Sequence, residues 1–275
     1  MFSDPPAELQ RVLDAARSQL GAFADLRYAE TIGSTNDVAL QLAANGAPEG
    51  TSVLAEQQTS GRGRRGRVWS SPPGAGLYLS TVLRGAALTV DPGVVTLGAG
   101  VAAADAVLAA TGLPVALKWP NDLVIGDAWK KLGGILCEAH GADAIVIGIG
   151  INITSAAHPP DVAMRATAID TELGRPTDRS TLIVECLTQL RALAETLRSP
   201  ERLSLLDRWR ARAADGWHAA HVRWQDQGVD DDGVARTLEV RGIARDVDAD
   251  GALIVERDGR RERVIAGEVV WERRQ

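Results

Sequence analysis

The sequence predicts an α+β protein, a body of helices and strands followed by a small all-β module. Three observations carry that reading. Helical spacing recurs over residues 7–24, 92–110, 180–197 and 200–214. Between these lie short runs with strand alternation or unbroken apolar character, the most apolar being A-I-V-I-G-I-G-I-N-I at 144–153. After about Trp224 the texture changes to alternating strands separated by D-A-D-G and R-D-G-R turns, which divides the chain into 1–223 and 224–275.

In 7–24, Leu9, Val12, Leu13, Ala16 and Leu20 share one face. A single helix is too little for a winged helix-turn-helix, so no DNA-binding module is expected ahead of the body. A strand at 26–29 leads into G-S-T-N (33–36), and V-A-L-Q-L-A-A-N-G reads as a helix ended by Gly46. Ser34 or Thr35 is its N-cap, a place where free N–H groups and small hydroxyls also meet polar ligands. Residues 51–57 and 77–84 read as strands, and Gly98 and Gly100 in helix 92–110 fit close packing on a sheet. Residues 115–125 read as a buried strand interrupted at Pro120 by polar groups, since proline belongs at strand edges or bulges, and N-D after a proline on its own reads as a turn. In the strand 130–138, Gly133 and Gly134 mark a close backbone approach. Asn152, the one polar side chain of the most apolar strand, needs a partner, because an unpaired buried amide costs on the order of 1–3 kcal/mol. Residues 155–165 are loop-like, and the last strands are T-L-E-V-R-G-I-A, A-L-I-V-E-R and R-V-I-A-G-E-V-V-W.

The segment A-E-Q-Q-T-S-G-R-G-R-R-G-R-V-W (55–69) gathers Gly61, Gly63, Gly66, Arg62, Arg64, Arg65 and Arg67 in a chain of net charge -6. Glycines leave N–H groups open to an anion, and arginine forks match carboxylate and phosphate. A mobile loop closing over a small acidic, phosphate-bearing ligand is expected. G-R-G-R-R-G fits the dinucleotide fingerprint literally, but V-W-S-S-P-P-G-A-G follows where that fingerprint requires a helix. A solvated basic patch for nucleic acid is the competing reading, and the acidic overall balance opposes it.

At 275 residues and 45% hydrophobic, the chain can bury a substantial core. No apolar run reaches the ~18 residues of a membrane span, and the start M-F-S-D-P-P is unlike a signal peptide. Cys137 and Cys186 lie in apolar surroundings without metal-ligand spacing, so two buried free thiols and a cytoplasmic location are expected. His158, His218 and His221 show no metal spacing either.

Taken together, G-S-T-N, G-R-G-R-R-G-R-x-W, K-W-P-N-D, K-L-G-G-I-L and G-I-G-I-N, in that order, resemble the biotin–protein ligases in their ligase-only form. Each motif alone is weak, but five in order over about residues 30 to 155 are specific. The resemblance implies a class II aminoacyl-tRNA-synthetase-like catalytic domain, a mixed sheet with helices, and a small C-terminal SH3-like β-barrel. It implies conversion of biotin and ATP, with Mg2+, to biotinyl-5'-AMP and pyrophosphate. Biotin would then pass to a lysine on the carrier domain of a biotin-dependent carboxylase. No DNA or membrane partner is implied, and the chain would be a monomer or weak homodimer.

By the same resemblance, Ser34, Thr35, Asn36, Gln58, Gly61, Arg62, Gly63 and Gly134 surround biotin. Arg67, Trp69, Asn121 and Asn152 lie on the nucleotide side, while Arg64 and Lys131 serve both and are the catalytic pair. Spacing from L-G-G-I selects Lys131 over Lys130, and the loop 155–165 matches one that orders over adenine. Lipoate–protein ligase and a non-catalytic biotin or nucleotide sensor are the alternatives. K-W-P-N-D and G-R-G-R-R-G belong to the biotin side, and binding alone would not require both Arg64 and Lys131. The chemistry itself asks for cations, because a carboxylate must attack a negative phosphate. Each cation held near ~4 Å contributes ~4 kcal/mol at an effective dielectric of 20.

Overall fold

The computed structural model describes residues 2–85, 89–159, 162–229, 235–265 and 269–272, with backbone alone at 226–229 and 235–238. The body contains α1 (Ala7–Leu20), β1 (Leu26–Ile32), α2 (Thr35–Ala44), β2 (Ser52–Gln58), β3 (Gly76–Leu83) and α3 (Pro92–Thr111). It continues through β4 (Ala116–Lys118), β5 (Asp122–Ile125), β6 (Lys130–His140), β7 (Ala144–Asn152), α4 (Ile169–Leu173), α5 (Arg179–Arg198) and α6 (Ser204–Arg212). Seven strands form one sheet in the order β1-β2-β3-β7-β6-β5-β4. Only β1 and β2 run parallel, joined through α2, so the sheet is mixed as expected.

The period of β7 explains how one strand serves two purposes. Ile145, Ile147, Ile149 and Ile151 point into the main core with α3 and α5, while Ala144 and Val146 join a smaller core under α2. Continuing on that second face, Gly148, Gly150 and Asn152 carry no apolar bulk and leave room above the sheet. α3 packs on α5 and α6, and α1 on α5. Asp91 accepts from Gly93 N–H to start α3, and Gly112 in the left-handed region (φ 77°) ends it. Contrary to the sequence reading, α3 is long and apolar enough to cross a membrane, but 67% of that stretch is buried inside this fold. It is the core helix, apolar all round because it is packed all round.

Other elements differ from expectation for local reasons. Residues 115–125 are two strands of a tight hairpin and not one interrupted strand, with Lys118 opposite Asp122 across a cis Trp119–Pro120 bond and the turn read at N-D falling on residues 119–121. Proline lacks the N–H that a continuous ladder needs, and the chain reverses there. α4 was not foreseen, being only five residues long. The C-terminal module comprises β8 (His221–Val229), β9 (Ala235–Val247), β10 (Leu253–Arg257), β11 (Arg260–Val264) and β12 (Val270–Glu272), in the order β11-β10-β9-β8-β12. β8 was missed because charged residues dilute its alternation, although Val222 and Trp224 are buried. The run 263–271 is two strands: β11 ends at Val264, and β12 pairs with β8 on the opposite side of the sheet. The R-D-G-R turn is a hairpin with Asp258 and Gly259 both at positive φ (50° and 73°).

The module docks on the body by close backbone contact. Trp119 Nε1 donates to Gly251 O at 2.9 Å, and Arg210 bonds Asp246 Oδ1 at 2.8 Å and Val247 O at 2.6 Å. A Cβ on Gly251 would lie 2.7 Å from the Gly93 carbonyl carbon, so no side chain fits between them.

Candidate functional site

A cavity of about 900 Å³ opens on the α2 side of the sheet. Ser34, Thr35, Asn36, Gln58, Arg62, Gly63, Arg64, Arg67, Trp69, Asn121, Lys131, Gly134 and Asn152 line it. Gly61 does not. It is buried behind the wall, where a Cβ would meet Trp69 O at 2.3 Å and Ser71 Oγ at 2.6 Å. Lys131 lines the cavity and Lys130 is exposed outside it, as strand alternation requires.

One end is built on the first turn of α2. Ser34 caps the helix by accepting from Asp37 N–H, and Ser34, Thr35 and Asn36 are all buried. Thr35 N–H donates to Gln58 Oε1 at 2.8 Å, and Gln58 Nε2 donates to Ser71 Oγ at 2.8 Å, so the glutamine amide is held at both ends. Ser80 Oγ lies 2.6 Å from Asn36 Oδ1, which can only accept, so the single serine proton goes there. Asn36 Nδ2 donates to Glu138 Oε2 at 2.8 Å. Arg62 gives a forked pair to Glu138 (3.0 and 2.6 Å) and lies 2.6 Å from Asp37 Oδ1. Its charge is thus offset by two carboxylates, leaving a polar end without free positive charge.

The other end is cationic. Lys131 Nζ donates to Asp122 Oδ1 at 2.5 Å, and Lys118 Nζ lies 3.6 Å from Asp122 Oδ2. Arg64 reaches this group through the Asn121 amide oxygen at 3.4 Å. Burial, and then the charge of Arg65, hold the Arg64 pKa below the arginine value, while Asp122 opposes the shift. Three cations around one carboxylate leave net positive charge for an anion to satisfy. Asn121 Nδ2 donates to Ile135 O at 2.7 Å, which fixes the amide with its oxygen toward Arg64. Asn152 finds its partners in Thr167 O at 3.0 Å and Lys131 O at 3.5 Å, so it ties the lysine strand to the segment before α4.

The basic segment between the ends is a short hairpin. Trp69 N–H donates to Gly61 O at 2.9 Å, Gly63 N–H to Arg67 O at 2.7 Å, and Arg62 bridges Val68. Its tip runs through Arg65 and Gly66, both in the left-handed region (φ 57° and 72°). No helix follows, which disposes of the dinucleotide fingerprint. The Trp69 ring lies between Lys131, whose Nζ is 5.6 Å from its centroid, and Gly150, where a Cβ would come within 2.7 Å of the indole. Its Nε1–H is buried without an acceptor among the described residues.

Sequence reasoning assigned no role to Lys118, Asp122, Ser71, Ser80 or Glu138, nor to Trp129 and Trp271, which meet edge-to-face at 5.7 Å on the cavity rim. Lys118 and Asp122 lay inside a motif already noticed. Glu138 joins residues 76 and 102 positions away, and nothing in its own neighbourhood marks it. Among the described residues no group of three or more His, Cys, Asp or Glu side chains could cage a metal.

Comparison with known proteins places the chain in a family. Residues 28–152 match the biotin/lipoate A/B protein ligase family, and residues 234–271 match the biotin protein ligase C-terminal domain. The chain is 34% identical to a biotin–[acetyl-CoA-carboxylase] ligase of Mycobacterium tuberculosis, over 97% of this chain and 96% of that one. Its fold is similar to the Aquifex aeolicus biotin protein ligase in complex with biotin and ATP (TM-score 0.75, 24% identity, 91% of this chain and 99% of that one). It is also similar to the Leishmania major biotin protein ligase in complex with biotinyl-5-AMP (TM-score 0.57, 27% identity, 88% and 99%).

Proposed function

Because the chain belongs to the biotin–protein ligases of the biotin/lipoate A/B protein ligase family, we propose that its cavity activates biotin with ATP and passes it to a protein lysine. The observation that carries this reading is the division of the cavity into two ends. Held amides and hydroxyls at Ser34–Asn36 and Gln58 suit an uncharged polar ring such as the biotin ureido group. The cationic end suits a carboxylate beside a phosphate. A substrate acid therefore enters head first and presents its carboxylate to Arg64 and Lys131, which offset the repulsion between the two anions.

The carboxylate oxygen attacks the α-phosphorus, the bond to the bridging oxygen breaks, and pyrophosphate leaves. The hairpin covers the mixed anhydride, excluding water until an acceptor amine arrives. That amine, with an ordinary pKa of ~10.4, attacks the carbonyl carbon after losing a proton, and AMP departs. The acceptor is the lysine of a biotin carboxyl carrier domain, and the reaction is placed in the cytoplasm. Magnesium would enter on the triphosphate oxygens, its usual hosts, and neutralise the leaving group.

The test is pyrophosphate release with ATP, magnesium and either biotin or lipoate, read together with the intact mass of the protein. Biotin-dependent release with biotinyl-AMP retained is expected. Release with lipoate alone would move the chain to the lipoate ligases, and biotin binding without pyrophosphate would make it a sensor.

A further inference from the structure

Arg62 and Arg64 stand two residues apart in the same hairpin but in opposite electrostatic settings. Arg64 reaches a neutral amide, whereas the Arg62 fork is closed on Glu138 and touches Asp37 as well. Glu138 is half-buried on β6, opposite Val146 and in line with Leu136 and Gly134, which line the cavity. Its Oε2 also accepts from Asn36 Nδ2, so one carboxylate gathers the hairpin, the first turn of α2 and the sheet. An anion approaching Arg62 would meet two carboxylates. Both terminal nitrogens of this guanidinium are engaged by carboxylates of the protein, and its Nε is buried with no acceptor among the described residues.

We propose that Glu138 is a positioning residue that latches the Arg62 limb of the hairpin to the sheet and so sets how long the acyl-adenylate stays enclosed. This rests on the ligase reading of the site. Glu138 touches no substrate. It acts by holding Arg62, and through it the hairpin, while orienting the Asn36 amide. A bidentate, partly desolvated carboxylate–guanidinium pair is among the stronger polar contacts available, and its loss is expected to speed opening by about tenfold. ATP binding, which relies on the opposite end, is expected to change little.

The experiment measures escape of preformed biotinyl-AMP from the intact protein by rapid gel filtration, in E138A, E138Q, R62A and the double variant R62A/E138A. E138Q keeps the shape and one acceptor while removing the charge, so it decides the matter if E138A fails to fold. The expected result is escape about tenfold faster in each single variant, KM for ATP within about twofold of wild type, and a double variant no worse than either single. Wild-type retention in E138Q, or effects of R62A and E138A that add, would overturn the latch. Absence of any adenylate in the wild-type protein would instead overturn the function proposed for the site.

Discussion

Asp122 sits between two lysines and prevents either from being a free cation, so Lys131 is held where an incoming anion displaces part of an existing ion pair. Replacing Lys131 or Arg64 with alanine is expected to lower adenylation by roughly a hundredfold or more, the usual cost of removing a preorganised charge from a transition state. Circular dichroism and melting temperature should stay near wild type, because both side chains face the cavity and not the core. Wild-type rates in both variants would refute the roles given to them. Four weak acids, three of them buried and Cys137 only half-buried where a buried thiol was expected, give a separate prediction. Burial pushes the Cys137 thiol from 9.0 up to about 11, the Cys186 thiol from 9.0 up to about 12, and Tyr28 from 10.0 up to about 12, with Tyr78 raised as well. These groups ionise first in the unfolded chain, which then binds fewer protons than the folded one. The stability they contribute is present below pH 9.0 and is lost as pH climbs toward 11 and 12. Melting curves at pH 8 and pH 10.5 should show the fall, and Cys186→Ser should flatten it. At this scale the site was largely legible, because cations, small hydroxyls and amides sit inside motifs of short range. Glu138 and Ser80 were not legible, since their partners come from other strands and helices.

The glycines of β7 are where element and site meet. A Cβ on Gly148 would lie 2.1 Å from Asn36 Oδ1, and one on Gly150 would lie 2.7 Å from the Trp69 indole. Gly148→Ala is therefore expected to displace Asn36, raising KM for biotin about tenfold and costing about 1–3 kcal/mol of stability, as overpacking usually does. Gly150→Ala should act on Trp69 and fall mainly on the nucleotide side. Equal effects of the two variants on both substrates would contradict this division. The strand was readable from its unbroken apolar run, but its two uses were not, because such a run does not say what either face meets. The same limit explains the hairpin at 115–125. Proline and the N-D pair announced a break and a turn, and only the antiparallel pairing of β4 with β5 shows that the two halves became neighbours.

At the scale of the molecule, the body and the C-terminal module share one hydrophobic core cluster, in which Leu253 and Val255 belong with Leu97 and Trp119. Trp119→Phe removes the indole donor to Gly251 O while keeping the bulk. A loss of about 1 kcal/mol and a drop of roughly 2–4 °C in Tm are expected, with the two parts still melting in one transition. Two separate transitions in the wild-type protein would show that the docking is weaker than these contacts indicate. The change of texture near Trp224 revealed that a second sheet exists, but it did not reveal that β12 returns to the cavity wall with Val270 and Trp271.

The pairing of the two limbs of the basic hairpin has a consequence for how the enclosure fails. Arg62 is bridged to Val68, and Gly61 O accepts from the Trp69 N–H, so neither limb swings out without the other. Opening breaks the hold on Glu138 at one end and withdraws the indole from Lys131 at the other in a single movement. The chamber then has one door rather than two. Leakage of the activated acid and attack by water should share one rate-limiting event and respond in parallel to any substitution in the hairpin.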